Sequence, residues 1–126
     1  MKNKKLLPCT AAEGFSLLPR SADTDARADF CLTVTDGAMA PYICPGQSVA
    51  VSAGEALEEF DVGVFYCRGK IYCRQWCEDY SGALHLLAAN SAQSNANIRL
   101  SKGERQGCLC LGKVLLDKRP PRPAAL

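Results

Sequence analysis

One segment of this chain is the most informative about its fold: Leu32-Thr-Val-Thr-Asp-Gly-Ala38-Met-Ala-Pro-Tyr-Ile-Cys-Pro-Gly46-Gln-Ser-Val-Ala-Val51. Residues 30–34 form a short run of β-prone residues that enters the segment. Residues 47–52 alternate polar and apolar side chains, which places Val49 and Val51 on one face of a strand. Residues 38–43, closed by Pro45-Gly46, are typical of a turn or of a single helical turn. The segment therefore predicts two short strands joined by an irregular turn.

Further strand-like runs follow at short intervals, separated by Gly, Pro, Asn or Asp. They are residues 60–67, 70–80, 84–87, 96–100 and 107–116, with a hairpin turn at 68–70. Residues 53–59 contain helix-forming residues, but the segment is too short to be stable as an isolated helix. This spacing predicts an all-β antiparallel fold and not alternating β and α elements.

The length of 126 residues and the hydrophobic content of 48% predict one domain with a small core. We divide the chain into an extended N-terminal arm with room for one short strand (1–28), a β-domain (29–117) and a Pro-rich tail (118–126). The tail contains a Pro-x-x-Pro spacing that would suit an SH3-type groove, although a disordered tail is the favoured interpretation.

The formal net charge of +2 is too small to indicate a nucleic-acid-binding surface across the whole chain. No apolar run approaches the roughly 20 residues that span a bilayer. The basic start is not followed by the apolar region of a signal peptide. We therefore expect a cytoplasmic protein with no membrane association.

Eight cysteines are many for a cytoplasmic chain. Cys73 with Cys77, and Cys108 with Cys110, would supply four thiolates to zinc, but these spacings differ from the two-residue gaps of most structural zinc sites. On strands such cysteines behave as small apolar residues. We favour buried thiols and no metal or other cofactor, with a zinc-binding module and redox chemistry as the alternatives.

No intact catalytic set is evident from the residues alone. The single histidine, His85, lies in a strand-like run, where a structural or solvent-facing role is usual. Gly-rich phosphate-binding loops are absent from the sequence.

Five ordered pieces of sequence resemble the C-terminal domain of LexA, UmuD and phage repressors, and the Clostridia-type regulators most closely. The resemblance runs from about residue 8 to 116. The pieces are Val34-Thr-Asp-Gly-Ala-Met-Ala-Pro41, Pro45-Gly-Gln-Ser-Val-Ala-Val51, Phe60-Asp-Val-Gly-Val-Phe65 with Lys70-Ile-Tyr-Cys-Arg-Gln75, Leu86-Leu-Ala-Ala-Asn90 and Gly112-Lys-Val-Leu115. The resemblance implies a signal-peptidase-like antiparallel β fold with an extended N-terminal arm.

The same resemblance implies a Ser-Lys self-peptidase, in which a neutral lysine takes the proton of the attacking serine. Ala38 stands at the position of the serine, and Arg74 stands at the position of the lysine. Because an arginine stays protonated, it cannot act as this base. The scissile bond would fall between Ala11 and Ala12. We therefore predict a pseudo-peptidase; a residually active self-peptidase, with Ser48 or Cys44 as a shifted nucleophile, is the alternative.

The resemblance also implies a role in transcriptional regulation of the SOS type, through dimerisation near the last strand. Residues 107–116 would provide a sheet edge for this pairing. The candidate interface residues are Leu109, Leu111, Val114 and Leu115. We expect a homodimer, or a heterodimer with a LexA-like repressor that carries a helix-turn-helix domain. Because such a domain needs roughly 60 residues, we expect no direct specific DNA binding by this chain.

Overall fold

Eight antiparallel β-strands form one sheet in the computed structural model, which describes residues 16–18 and 27–122. The strands are β1 (Ser16–Leu18), β2 (Phe30–Thr33), β3 (Ser48–Ser52), β4 (Val62–Cys67), β5 (Lys70–Glu78), β6 (Leu84–Leu87), β7 (Ile98–Leu100) and β8 (Leu109–Leu115). Short 3₁₀-helices span Ser91–Ala96 and Glu104–Gly107, and the described residues contain no α-helix. The all-β prediction is confirmed.

The arm contributes one strand, as its sequence allowed. Leu17 of β1 pairs with Leu32 of β2 at the edge of the sheet. The rest of the arm, including Ala11 and Ala12, lies outside the described residues. Within the part of the chain that the structure describes, no helix has the length and apolarity needed to cross a membrane.

The strand order is β1-β2-β3-β8-β4-β5-β6-β7, which corrects the prediction that the last strand is a sheet edge. β8 is internal and its two halves have different neighbours. Residues 113–115 pair with β3, whereas residues 109–113 pair with β4, with a register shift between Val64 and Phe65. Only Lys113 is paired on both sides, so residues 109–111 have no β3 partner in this register.

Apolar side chains pack on both faces of the central strands, because successive residues of a strand point to opposite faces. In β4, Val62 and Val64 join one cluster, whereas Phe65 and Cys67 join the other. The first cluster includes Met39 and Ile43 from the turn between β2 and β3. Since both faces are covered, side chains on β4 and β5 are held in fixed positions.

The start of the Pro-rich tail is packed on the domain, contrary to the disordered interpretation. The amide nitrogen of the buried Gln75 donates to the carbonyl oxygens of Phe60 and Pro120, both at 2.9 Å. Arg119 donates to Asp61 at 3.3 Å. Residues 118–122 therefore cover part of the sheet, and residues 123–126 lie outside the described residues.

Candidate functional site

The turn between β2 and β3 buries Ala38 in a fixed position. Ala38 is 1% exposed and Met39 is fully buried. The carbonyl oxygen of Met39 accepts the backbone N–H groups of Tyr42 and Ile43, both at 3.0 Å. Because the Met39 and Ile43 side chains belong to the apolar core, the turn is anchored by packing as well as by hydrogen bonds.

Asn90, which follows β6, is hydrogen-bonded to the same turn. Its backbone N–H donates to the carbonyl oxygen of Ala38, and its side-chain amide donates to that of Gly37, both at 2.9 Å. A structural reason for an Asn at the end of the Leu-Leu-x-x-Asn piece is therefore visible. The sequence pattern located this residue but did not indicate its role.

Arg74 lies on the middle of β5 and is 4% exposed. Its Nε donates to the carbonyl oxygen of Ala96 at 3.2 Å, and its Nη1 donates to that of Cys73 at 2.9 Å. The guanidinium lies over the ring of Tyr72, 5.3 Å from the centroid. A buried charge is costly unless it is paired and hydrogen-bonded, and these contacts meet part of that requirement.

One carboxylate joins the two positions. Oδ2 of Asp36 accepts from Nη1 of Arg74 at 3.4 Å, and Oδ1 of the same residue accepts from the backbone N–H of Ala38 at 3.3 Å. Asp36, which the sequence did not single out, thus contacts both Ala38 and Arg74. We call Asp36, Ala38 and Arg74 the bridged site.

The bridged site contains a methyl group and a guanidinium, whereas acyl transfer by a Ser-Lys pair uses a hydroxyl and a neutral amine. The two shifted nucleophiles considered above are engaged elsewhere. The Ser48 hydroxyl lies 3.1 Å from that of Thr33, and the Cys44 thiol donates to the carbonyl oxygen of Pro41 at 3.6 Å. Neither contact includes Arg74.

The four cysteines considered for zinc are not gathered in one place. Among the described residues, no group of three or more His, Cys, Asp or Glu side chains could hold a metal ion. Cys73 is fully buried, and burial raises its pKa to about 12. Cys77 donates to Glu59 at 3.4 Å, and burial raises its pKa to about 11. Since zinc binds thiolates, these environments disfavour it.

His85 has a local structural partner. Its Nε2 lies 2.8 Å from Oδ2 of Asp79, whose other oxygen accepts the Ser81 hydroxyl at 2.6 Å. All three residues belong to the β5–β6 hairpin, so this cluster stabilises a turn.

The four interface candidates on β8 differ in exposure. Leu109 is 54% exposed, whereas Leu111 and Leu115 are partly buried. Val114 is 2% exposed and belongs to the core, so it is not available to a partner, which corrects its place among the candidates. The reason is the alternation of β8, which points Val114 inward.

A family model described as Peptidase S24-like matches residues 7–115. The match covers all eight strands and includes both Ala38 and Arg74. No curated protein matches the chain.

Proposed function

Because this chain belongs to the Peptidase S24-like family, we propose that it is a catalytically inactive member that acts in transcriptional regulation by associating with another protein. The observation that carries the proposal is the bridged site. The Asp36 carboxylate accepts one hydrogen bond from the backbone N–H of Ala38 and another from the guanidinium of Arg74.

The chemistry of the bridged site opposes self-cleavage at both catalytic positions. The methyl group of Ala38 has no electron pair with which to attack a peptide bond. An arginine guanidinium does not act as a general base, and that of Arg74 donates to the Asp36 carboxylate at 3.4 Å. In place of a nucleophile and a base, the two positions carry groups that hydrogen-bond to Asp36 and so have a structural role.

Intact mass spectrometry tests the inactivity directly. The purified protein is incubated for days between pH 7 and pH 10, and its mass is expected to remain that of the full chain. An Arg74→Ala variant is the matched control, because cleavage by a contaminating protease would persist in it. Cleavage between Ala11 and Ala12 in the wild type, lost in this variant, would overturn the proposal.

The exposed half of β8 supports association as the remaining role. Leu109 and Cys110 are exposed, and the side of residues 109–111 towards β3 has no strand pairing in the register. Unpaired backbone groups beside an exposed apolar side chain form a surface to which another strand can add. We assign the partner as a second copy of this chain or a repressor of the same family that carries its own helix-turn-helix domain.

Size-exclusion chromatography with light scattering tests the self-association. The apparent mass is expected to rise from that of one 13.6 kDa chain towards twice that value as concentration increases. A monomer throughout the concentration range, both alone and mixed with such a repressor, would contradict the association proposal while leaving the inactivity result unaffected.

A further inference from the structure

Two cysteine thiols from different strands meet at the end of the β4–β8 pairing. Cys67 is the last residue of β4, and Cys108 directly precedes β8. Tyr66 pairs with Leu109, so the antiparallel register places Cys67 opposite Cys108. Cys108 is half-buried and packs against the apolar cluster that contains Cys67.

Continued by one residue, the β4–β8 register gives this pair the spacing that a disulfide requires, by ideal antiparallel geometry. The N–H of Cys108 donates to the carbonyl oxygen of Arg105 at 3.0 Å, so it does not form a ladder hydrogen bond with Cys67. Opposite residues that exchange no hydrogen bonds have Cα atoms about 4.5 Å apart. A disulfide is accommodated when Cα atoms are about 4.4–6.8 Å apart.

Neighbouring thiols compete poorly for the same bond. Cys110 is exposed, and its thiol donates to the carbonyl oxygen of Gly112 at 3.8 Å. Cys73 belongs to the apolar cluster on the opposite face of the sheet from Cys67. Of the described cysteines, Cys67 and Cys108 are thus the pair that the strand register places opposite each other within one apolar cluster.

We propose that Cys67 and Cys108 form a reversible intramolecular disulfide when the protein meets a low-molecular-weight disulfide such as oxidised glutathione. This redox site is separate from the bridged site, and Cys108 directly precedes the association surface at residues 109–111.

The reaction is two successive thiol–disulfide exchanges. The thiolate of the half-buried Cys108 attacks one sulfur of the oxidant, the oxidant's S–S bond breaks, and one glutathione thiolate leaves and takes up a proton. The Cys67 thiolate then attacks the Cys108 sulfur of the mixed disulfide and displaces the second glutathione. The protein loses two protons and two electrons, and the oxidant is reduced to two thiols.

The rate is expected to depend steeply on pH. Burial raises the pKa of Cys108 to about 12 and also raises that of Cys67. Because the thiolate is the attacking species, the rate should increase by about tenfold for each pH unit below these pKa values. The exposed Arg68, which follows Cys67, favours the Cys67 thiolate and an anionic oxidant.

Peptide mapping under non-reducing conditions tests the proposal on the full chain. After treatment with oxidised glutathione at pH 8.5 and trypsin digestion, residues 28–68 should be linked to residues 106–113. These peptides also contain Cys31, Cys44 and Cys110, so fragmentation of the linked species must place the bond at Cys67 and Cys108. The link should disappear on treatment with dithiothreitol.

Single variants provide the matched controls. Cys110→Ala and Cys31→Ala should retain the link, whereas Cys67→Ala and Cys108→Ala should lose it. If a buried-site variant fails to fold, the fragmentation of the wild-type species still assigns the bond. A link to Cys110, a stable glutathione adduct without a link, or a rate that does not change between pH 7 and pH 9 would each overturn the proposal.

Discussion

At the residue scale, Asp36 explains how the chain accommodates Arg74 inside the domain. The Arg74 side chain is 5% exposed, whereas that of Asp36 is 41% exposed. The carboxylate therefore remains partly hydrated while it neutralises a charge that has little access to water. The ion pair therefore offsets part of the desolvation free energy of the Arg74 guanidinium, and only one of the two charges is buried.

We expect Asp36→Asn to lower the free energy of unfolding by about 1–2 kcal/mol, because Arg74 loses its charged partner. Because the asparagine amide has the same shape as the carboxylate, the loss of stability measures the contribution of the negative charge. Urea denaturation at pH 7 measures it. Glu78→Gln, which removes the more exposed ion pair with Arg105, should cost less, about 0.2–1 kcal/mol. Equal losses in the two variants would argue against a special role for Asp36.

The second prediction at this scale concerns Asp79, whose pKa is lowered by hydrogen bonds from Ser81 and then His85. A carboxylate with a lowered pKa in the folded state stabilises the protein above its ordinary pKa of 3.8. That stabilisation is lost as the pH falls through the lower value of the folded state. Asp79→Asn should therefore be less stable than the wild type at pH 6, and this difference should shrink below about pH 4.

Urea denaturation between pH 6 and pH 2 measures this difference. Asp117→Asn, at an exposed position after β8, is the control and should differ little from the wild type across the range. A difference for Asp79→Asn that stays constant to pH 2 would show that the charge of Asp79 is not involved.

At the element scale, β8 is the strand that connects the two parts of the sheet. It changes partner from β4 to β3 near Gly112, where a register shift also occurs in β4. A Cβ atom added at Gly112 would lie 2.6 Å from Cγ1 of Val51 and 2.8 Å from the carbonyl oxygen of Ser52. The close approach of β3 to β8 therefore depends on a residue without a side chain.

Gly112→Ala should lower the free energy of unfolding by about 1–3 kcal/mol, because either the methyl group or the β3 backbone must shift. Thermal and urea denaturation measure the change. Gly107→Ala is the matched control, because no atom lies within 4 Å of its added Cβ, and its effect should stay within about 0.5 kcal/mol. Similar effects in the two variants would mean that β3 and β8 tolerate a wider spacing.

The strands themselves were predictable because each has a local pattern. The alternation in residues 47–52 and the β-prone run in 60–67 depend only on neighbours in the sequence. The place of β8 was not predictable, because its pairing with β3 joins residues about sixty positions apart, Ser52 and Lys113. The apolar residues on both faces of 109–116 are compatible with an internal strand and equally with an edge strand that a partner covers.

The same limit applies to the bridged site. Family resemblance located Ala38 and Arg74, because each lies in a short ordered motif. The contact of Asp36 with Arg74 joins positions 38 residues apart and arises only when the turn packs over β5. The hydrogen bond from Gln75 to Pro120 was missed for the same reason, since composition alone favoured disorder for the tail.

At the scale of the whole molecule, the domain combines a buried core with a stretch of β8, residues 109–111, that has no strand partner on its β3 side. Ala38 and Arg74 are buried, and Asn90 holds the turn that contains Ala38, whereas Leu109 extends an apolar side chain into solvent. Tyr80 is more exposed than Leu109, but it lies in the β5–β6 turn and not on a strand. Substitutions of Leu109 and of Tyr80 can therefore distinguish association through a strand from association through any exposed hydrophobic side chain.

We expect Leu109→Asp to weaken self-association by about 10- to 100-fold, because burying a leucine in an interface contributes about 1.5–3 kcal/mol and a carboxylate there is costly to desolvate. Sedimentation equilibrium at several concentrations measures the dissociation constant. Tyr80→Asp introduces the same charge at a more exposed hydrophobic side chain outside the strands and should leave that constant unchanged. If Tyr80→Asp weakens the dimer while Leu109→Asp does not, the chain associates through its β5–β6 turn, and β8 is not the interface.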